Sequence, residues 1–172
     1  MKKKELMVVK RSGQKEPFTT KKLQVAIERA IEGFEDVIDP AELAEAAKRD
    51  IFDGISTADI DKAVVMTMKA RIEKEPAYNY VTARMFLNSV YKEVFGEGFH
   101  QKNFEKKYRE MFAVNIAQGV EHERMSPSLH SYDLQDLSDY LQPERDKLFS
   151  YLGIQTLYDR YFIHIGGRRI EA

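Results

Sequence analysis

The chain has 172 residues, of which 43% are hydrophobic and 32% are charged, a composition typical of a globular protein with a buried core. Its formal net charge of −1 excludes a global field that attracts nucleic acid or an anionic membrane, so any anion site must be local. The absence of cysteine excludes disulfides and thiolate metal sites within the chain. Apolar runs are too short to span a membrane, and we expect a cytoplasmic protein.

The first predicted element is a short β-hairpin. Residues 6–10 form an apolar strand, Ser12–Gly13 supplies a turn, and residues 15–18 return as a second strand. Pro17 lacks an amide donor, so we expect the second strand to lie at an edge.

Two helices are predicted next, and each has a recognisable start. The first is capped by Thr19 or Thr20, after which apolar residues recur at the spacing of one helix face. The second opens with Asp39–Pro40, a capping residue followed by proline at the first helical position. Ile51 is placed on its apolar face, and Gly54 is predicted to end it.

Two further helices complete the first predicted unit. The third begins with the capping-box pattern of residues 56–59, and the fourth follows Glu75–Pro76. The fourth is predicted to end at Gly96, and the glycines of residues 96–98 suggest a boundary between two units. We therefore divide the chain into residues 1–96 and residues 97–172.

The second unit is predicted to be helical up to a terminal hairpin. A helix over residues 103–118 precedes a loop over residues 121–132. Two or three helical pieces are then predicted, over residues 133–141, 143–151 and 154 to about 161. Alternating apolar residues around Gly166–Gly167 indicate a final hairpin, which needs a covering element because isolated hairpins are marginal in water.

The sequence predicts neither a catalytic residue nor a metal ligand. The histidines lack the mutual spacing of metal ligands, and we interpret them as structural or solvated: His100, His122, His130 and His164. No carboxylate pair lies in an apolar setting that raises one pKa. The small basic clusters at Lys106–Arg109 and Arg168–Arg169 are interpreted as solvated faces.

Two stretches have the chemistry of a nucleotide site, although each also has a simpler interpretation. Lys10 and Arg11 lie beside a glycine turn, and Lys22 lies at a helix start, where cations and amides can hold phosphate. By themselves, such cations are more often only solvated. In the stretch 54–60, Ile55 can frame a flat base, but a loop and a capped helix explain most of the same residues.

Taken in order, these motifs resemble the ATP-cone. The matching segments are Val8–Gly13, Glu16–Phe18, Lys22–Leu23, Ala26–Ile27, Gly54–Ile60 and Tyr80–Arg84. The resemblance implies a mostly α fold in which a short β-hairpin caps a four-helix bundle. An all-α segment that ends in a short hairpin follows the cone.

The second unit resembles the helical segment that follows the ATP-cone in the large subunit of class I ribonucleotide reductase. The matching segments are Leu141–Asp146, Phe149–Tyr151, Ile154–Tyr161 and Arg168–Glu171. In that family an α/β barrel with the active-site cysteines comes next, and this chain does not contain it. We therefore expect the chain alone to be catalytically inactive, whether it is a natural split-gene product or a shortened piece.

The resemblance implies a regulatory function. The cone would bind ATP or dATP, with Mg²⁺, and set overall activity: ATP permits turnover and dATP stops it. The implied partners are the rest of the large subunit, the radical-generating small subunit and a nucleotide-dependent oligomer, with no nucleic acid and no membrane. We predict that dATP changes the oligomeric state through the fourth helix, Tyr78 to Phe95, whose aromatic residues would dock on another subunit.

The resemblance also implies a set of site residues. The phosphates would meet Lys10, Arg11, Lys22 and Lys92. The adenine and ribose would be framed by Glu16, Phe18, Leu23, Ile55 and Thr57. Asp61 departs from members of the family that have histidine there, and a carboxylate repels phosphate at close range unless Mg²⁺ offsets it. One or two nucleotides per cone both remain open.

Two alternative functions compete with this one. Transcriptional regulators built on an ATP-cone carry a cysteine-rich zinc ribbon, which a chain without cysteine does not have. A helical interaction domain with a degenerate cone is supported by Asp61 alone. The retained cations and Thr57 favour a cone that binds nucleotide.

Overall fold

A computed structural model describes residues 6–96 and 103–172, and the fold is mostly helical, as predicted. The strands are β1 (Met7–Val9), β2 (Lys15–Pro17), β3 (His164–Ile165) and β4 (Arg168–Arg169). The helices are α1 (Thr20–Ala30), α2 (Pro40–Lys48), α3 (Thr57–Lys69), α4 (Ala77–Phe95), α5 (Phe104–Glu121), α6 (Leu134–Asp139) and α7 (Tyr151–Arg160). Short 3₁₀ helices occupy Pro127–Ser131 and Pro143–Leu148. None of the helices in the described ranges combines the length and the apolar character needed to cross a membrane.

Two features named from the sequence lie outside the described residues. They are His100 and, apart from Gly96, the glycine-rich boundary. The division of the chain at this boundary therefore stays a prediction.

The N-terminal hairpin has the predicted form. Strands β1 and β2 pair antiparallel, with Val8 opposite Glu16, and within the described residues no third strand joins this sheet. β2 is consequently an edge strand, as Pro17 suggested. Val8 points into the core, where it is 3% exposed.

Two of the predicted helix caps are confirmed. The Asp39 carboxylate accepts a hydrogen bond from the Ala41 amide at 2.8 Å, in front of α2. The Ser56 hydroxyl accepts from the Asp59 amide at 3.0 Å and donates to the Asp59 carboxylate at 2.7 Å. Thr19 occupies the cap position of α1, but its side chain makes no capping hydrogen bond.

The predicted end of α2 is wrong. The helix ends at Lys48, and Ile51 lies in the turns that follow, where it is still buried. The Ile51 amide bonds to the Lys48 carbonyl three residues back, so the α-helical hydrogen-bond ladder has stopped. Gly54, which was expected to cap α2, has φ +86° and donates its amide to the Met7 carbonyl of β1 at 2.8 Å.

Three boundaries in the second half also differ from the prediction. The piece predicted over 143–151 is a 3₁₀ helix that ends at Leu148. α7 begins at Tyr151 rather than at residue 154 because extended Ser150 caps it, accepting from the Gly153 amide at 3.2 Å. α5 continues to Glu121, three residues beyond its predicted end.

The two halves of the chain, residues 6–96 and residues 103–172, share one hydrophobic core. Tyr151 and Ile154 of α7 are 5% and 1% exposed and belong to the same cluster as the buried residues of α1 to α4. α4 lies at the centre of this core, packed against α1, α3 and α7. Its burial explains why apolar residues occur nearly all round this helix.

The C-terminal hairpin is covered by the last turns of α4. Glu93 accepts the Arg169 amide at 2.7 Å, and its backbone carbonyl accepts from Arg168 Nε at 2.8 Å. The Arg169 guanidinium lies 4.0 Å from the centre of the Tyr158 ring. The interpretation of Arg168–Arg169 as a solvated face is therefore wrong for the half-buried Arg169, while Arg168 is exposed but also bonds to α4.

The other basic cluster, Lys106–Arg109, contains one solvated side chain and one that makes structural hydrogen bonds. The Lys106 side chain is 80% exposed and pairs with Glu110 one turn along α5. Arg109 instead donates to the backbone carbonyls of Asp139 and Leu141, at 2.9 and 3.3 Å. It thus holds the end of α6 against α5, a role that the sequence analysis missed.

Candidate functional site

The predicted site begins where the N-terminal hairpin meets the start of α3. The Val9 amide donates to the Ile55 carbonyl at 2.9 Å, and Val9 also forms an isolated parallel bridge with Ser56. The Met7 amide donates to the Asp53 carboxylate at 3.0 Å. These bonds bring the end of β1, with Lys10 next to it, beside the first turn of α3.

Glu16 joins two of the predicted phosphate-binding cations. Its carboxylate lies 2.9 Å from Lys22 Nζ on α1 and 3.0 Å from Lys10 Nζ on the hairpin. The hydrogen bond from Lys22, followed by that from Lys10, lowers the pKa of Glu16. Both ammonium groups stay accessible, with side chains 65% and 42% exposed, so they can turn toward a bound anion.

Arg11 lies at the exposed tip of the same hairpin. The turn is closed by the Lys10 amide, which donates to the Gln14 carbonyl, and by the Gly13 amide, which donates to the Lys10 carbonyl. Gly13 has φ +82°, a conformation that favours glycine at this position. The turn therefore presents a cation to solvent beside the pair formed by Lys10 and Glu16.

The residues predicted to frame the base are mostly part of the core. Leu23 and Ile55 are 6% and 4% exposed, and Phe18 is half-buried against the same cluster. A ligand at the surface can contact only their outer edges. Thr57, half-buried, is the first residue of α3 and offers a hydroxyl beside them.

Asp61 and Lys92 form a second charged pair, between α3 and α4. Asp61 Oδ2 lies 2.8 Å from Lys92 Nζ, and Asp61 is only 8% exposed. Asp61 follows Thr57 by one helical turn, so both side chains lie on the same face of α3. The pair consequently extends the predicted site from the start of α3 toward α4.

A cavity of about 460 Å³ lies between α1, α4 and the second half of the chain. This volume falls within the range of about 300–1,000 Å³ that is usual for small-molecule sites. Of the ten predicted site residues, all within the described ranges, Lys92 alone lines it. The cavity is therefore adjacent to the predicted site and shares one cation with it.

The cavity also contains charged residues that the sequence analysis did not select. Four cations face four carboxylates: Arg29, Arg84, Lys92 and Lys147, with Glu32, Glu105, Glu144 and Asp146. Arg84 donates to the Ala30 and Glu32 carbonyls at 3.1 and 2.7 Å, at the end of α1. The spacing of Arg84, Asn88 and Lys92, every fourth residue on a mostly apolar helix, was the signal that could have revealed this wall.

The aromatic residues of α4 are not generally available for docking, contrary to the prediction. Tyr78, Tyr91 and Phe95 are buried, and the half-buried Phe86 packs against the rings of Tyr151 and Tyr158. The helix turns these side chains inward because α7 and α5 cover it. Of the α4 aromatics, which all lie within the described residues, Tyr80 alone is exposed, at 42%.

Comparison with known proteins shows a domain match and a set of longer relatives. Residues 6–93 match the ATP cone domain. The chain is 36% identical to the ribonucleoside-diphosphate reductase subunit alpha of Chlamydia trachomatis over 165 residues, which is 96% of this chain and 16% of the relative. The same subunit of Helicobacter pylori is 33% identical over 161 residues, 92% of this chain and 19% of the relative.

A third relative extends the same pattern to a virus. The subunit alpha of Enterobacteria phage T4 is 30% identical over 161 residues, 91% of this chain and 20% of the relative. The chain thus spans between a sixth and a fifth of the length of these relatives, and it corresponds to their N-terminal region. Since the ATP cone domain accounts for more than half of its residues, the chain belongs to the ATP-cone family.

Proposed function

We propose that this chain is the ATP- and dATP-binding module that sets the overall activity of a ribonucleoside-diphosphate reductase. The observation that carries the proposal is the joining of Lys10 and Lys22 through Glu16, at the point where the hairpin meets the start of α3. Packing brings these cations together from separate elements. The relatives, which are named as alpha or large subunits of this enzyme, supply the reaction that the module would control.

The residues present fit a nucleoside triphosphate. Lys10, Arg11, Lys22 and Lys92 provide four cations against the carboxylates of Glu16 and Asp61, which leaves a local excess of positive charge. The amides of the first turn of α3 add donors on the same side. Mg²⁺ would reduce the repulsion between the phosphates and the two carboxylates.

The apolar and polar side chains at the edge of the site suit the adenine and the ribose of the nucleotide. The exposed edges of Phe18, Leu23 and Ile55 would pack on the adenine, while Glu16 and Thr57 would reach the ribose. ATP and dATP differ by one hydroxyl, so discrimination must begin at the sugar. A nucleotide shifts an assembly equilibrium only by its differential affinity for the two states, so the ribose contact must be linked to helix positions.

The proposal also names partners beyond this chain. The module would act on the rest of the reductase large subunit, on the radical-generating small subunit and on an oligomer whose size depends on the nucleotide. The breadth of the match, 96% of this chain to a subunit about six times longer, supports an attachment to further large-subunit sequence.

A second candidate is a helical interaction domain whose cone does not bind nucleotide. It is favoured by the Asp61–Lys92 pair, in which a carboxylate already occupies one of the cations at 2.8 Å. It is disfavoured by Lys10 and Lys22, whose exposed ammonium groups remain able to meet phosphate.

Calorimetric titration of the chain with ATP and with dATP separates the two candidates. We expect binding of both nucleotides, weakened about tenfold by Lys10→Ala or Arg11→Ala, because each removes a charge-assisted contact. Lys21→Ala is the matched control, since Lys21 is an exposed neighbour of Lys22 outside the predicted set. Absence of heat with either nucleotide would favour the interaction domain. An equal loss of affinity in Lys21→Ala would mean that the variants act only through the net charge of the chain.

A further inference from the structure

We propose that Asp61 is an affinity-determining residue, which competes with the nucleotide phosphates for Lys92. This inference rests on the proposed function, because it concerns the same site. Its basis is the position of Asp61: a residue 8% exposed, whose carboxylate lies 2.8 Å from the ammonium group of a cation that lines the cavity.

The two members of the pair differ in their access to solvent. The Lys92 side chain is 35% exposed and borders the cavity, whereas the Asp61 side chain is 11% exposed. An anion that enters the site therefore reaches Lys92 first and comes close to the Asp61 carboxylate behind it. If Lys92 turns to the anion, Asp61 is left as a poorly solvated charge without its partner, which is costly.

The pairs made by Glu16 do not impose the same cost. The Glu16 side chain is 23% exposed and shares its charge between two lysines that are themselves accessible. Either lysine can move to a phosphate while the other stays with the Glu16 carboxylate. Water can solvate the exposed part of that carboxylate. Nucleotide affinity is thus limited at the Asp61–Lys92 pair, where Lys92 must leave the Asp61 carboxylate in order to bind a phosphate.

The expected consequence follows from mass action. A ligand that needs Lys92 binds with lower apparent affinity, because in a fraction of the molecules the Lys92 side chain is held by Asp61. Asp61→Asn keeps the shape of the side chain but removes the charge, so Lys92 is freed and the repulsion of phosphate is lost. We expect ATP and dATP each to bind about tenfold more tightly, a change of about 1.4 kcal/mol at 25 °C.

The test is calorimetric titration of the whole chain with each nucleotide, with excess Mg²⁺ and at constant ionic strength. Glu45→Gln is the matched control: it changes the charge equally, but Glu45 lies on α2 and pairs with Lys48 at 3.2 Å on an exposed surface. We expect its affinity to stay within twofold of wild type. Lys92→Gln should weaken binding, and adding Asp61→Asn to it should tighten binding less than Asp61→Asn does in the wild-type chain, because only the loss of phosphate repulsion remains.

A purely structural role for Asp61 predicts the opposite result, a lower melting temperature together with weaker binding. If Asp61→Asn does not fold, Asp61→Ser carries the same expectation. Wild-type binding with no tightening in the neutral variant would overturn the competition and leave the proposed function intact, as would equal tightening in Glu45→Gln. Binding by the Asp61 variant alone would support the competition, whereas no binding by any variant or by wild type would overturn both proposals.

Discussion

Asp146 shows how a single half-buried acid can connect the two halves of the chain. Its carboxylate accepts a hydrogen bond from the Tyr91 hydroxyl at 2.6 Å, across a sequence separation of 55 residues. Burial is the main cause that raises the pKa of Asp146, and the hydrogen bond from Tyr91 opposes it in part. The same burial raises the pKa of Tyr91, so the tyrosine remains a hydrogen-bond donor.

This environment predicts a pH dependence of stability. Since the pKa of Asp146 is higher in the folded than in the unfolded chain, its contribution is complete below the ordinary value of 3.8 and is lost as pH rises through the folded pKa. Relative to wild type, Asp146→Asn should therefore gain unfolding free energy as pH rises from about 4 to about 7. Urea unfolding at several pH values measures this difference.

Glu16→Gln provides a comparison of opposite sign. The ion pairs with Lys22 and Lys10 lower the pKa of Glu16, so its contribution is present above the ordinary value of 4.5 and disappears as pH falls through the folded pKa. The deficit of Glu16→Gln against wild type should shrink on acidification. A pH-independent difference for Asp146→Asn would contradict the inference that partial burial raises the pKa of Asp146.

At the scale of elements, α4 is the link between the predicted nucleotide site and the second half of the chain. Three consecutive residues face three neighbours, because each residue turns the helix by about 100°. Lys92 meets Asp61 of α3, Tyr91 meets Asp146, and Glu93 accepts from the Tyr158 hydroxyl at 2.8 Å. A displacement of the helix at Lys92 would therefore be passed to both flanking contacts.

The predicted effect of dATP on assembly belongs to this helix. We expect dATP, compared with ATP, to change the mass of the complex formed with the rest of the large subunit and the small subunit. Tyr80→Ala should reduce this change, since Tyr80 is the exposed aromatic residue of α4 and stacks on Phe34 with the ring centres 6.2 Å apart. Light scattering of the reconstituted complex measures the mass.

Tyr161→Ala is a suitable control for this experiment. Tyr161 is 69% exposed but follows α7, so its removal tests the loss of any exposed aromatic ring. Identical masses with ATP and dATP in the wild-type complex would contradict the prediction. An equal effect of both variants would remove α4 from the explanation.

At the scale of the whole molecule, the shared core predicts that the two halves unfold together. Ile154 is 1% exposed and packs in the same cluster as the buried residues of α4. Ile154→Ala should lower the free energy of unfolding by about 2–5 kcal/mol, through lost burial and the cavity that remains. Hydrogen exchange should then show weaker protection in α3 and α4 as well as in α7.

Leu152→Ala is the matched control, because Leu152 lies on the same helix but is 73% exposed. Its effect should be within about 0.5 kcal/mol of wild type. Weaker protection confined to α7 in the Ile154 variant would mean that the halves unfold independently.

The sequence by itself determined the elements whose stabilising bonds are local. The caps at Asp39 and Ser56 were predictable because each side chain bonds an amide two or three residues away. The hairpin was predictable from the strand pattern and the turn at Gly13. The ten site residues came from a resemblance in the order of motifs, and their contact with nucleotide stays a prediction.

Only the tertiary structure decided the partners of groups that lie far apart in sequence. α2 stops at Lys48 and Gly54 bonds to Met7, a contact that no local pattern encodes. Asp61 and Lys92 meet across 31 residues because α3 packs on α4 in one particular rotation. Helical spacing shows which residues share a face, but the packing of the apolar core selects the charges that this face meets, and here it placed a carboxylate against a cation of the predicted phosphate site.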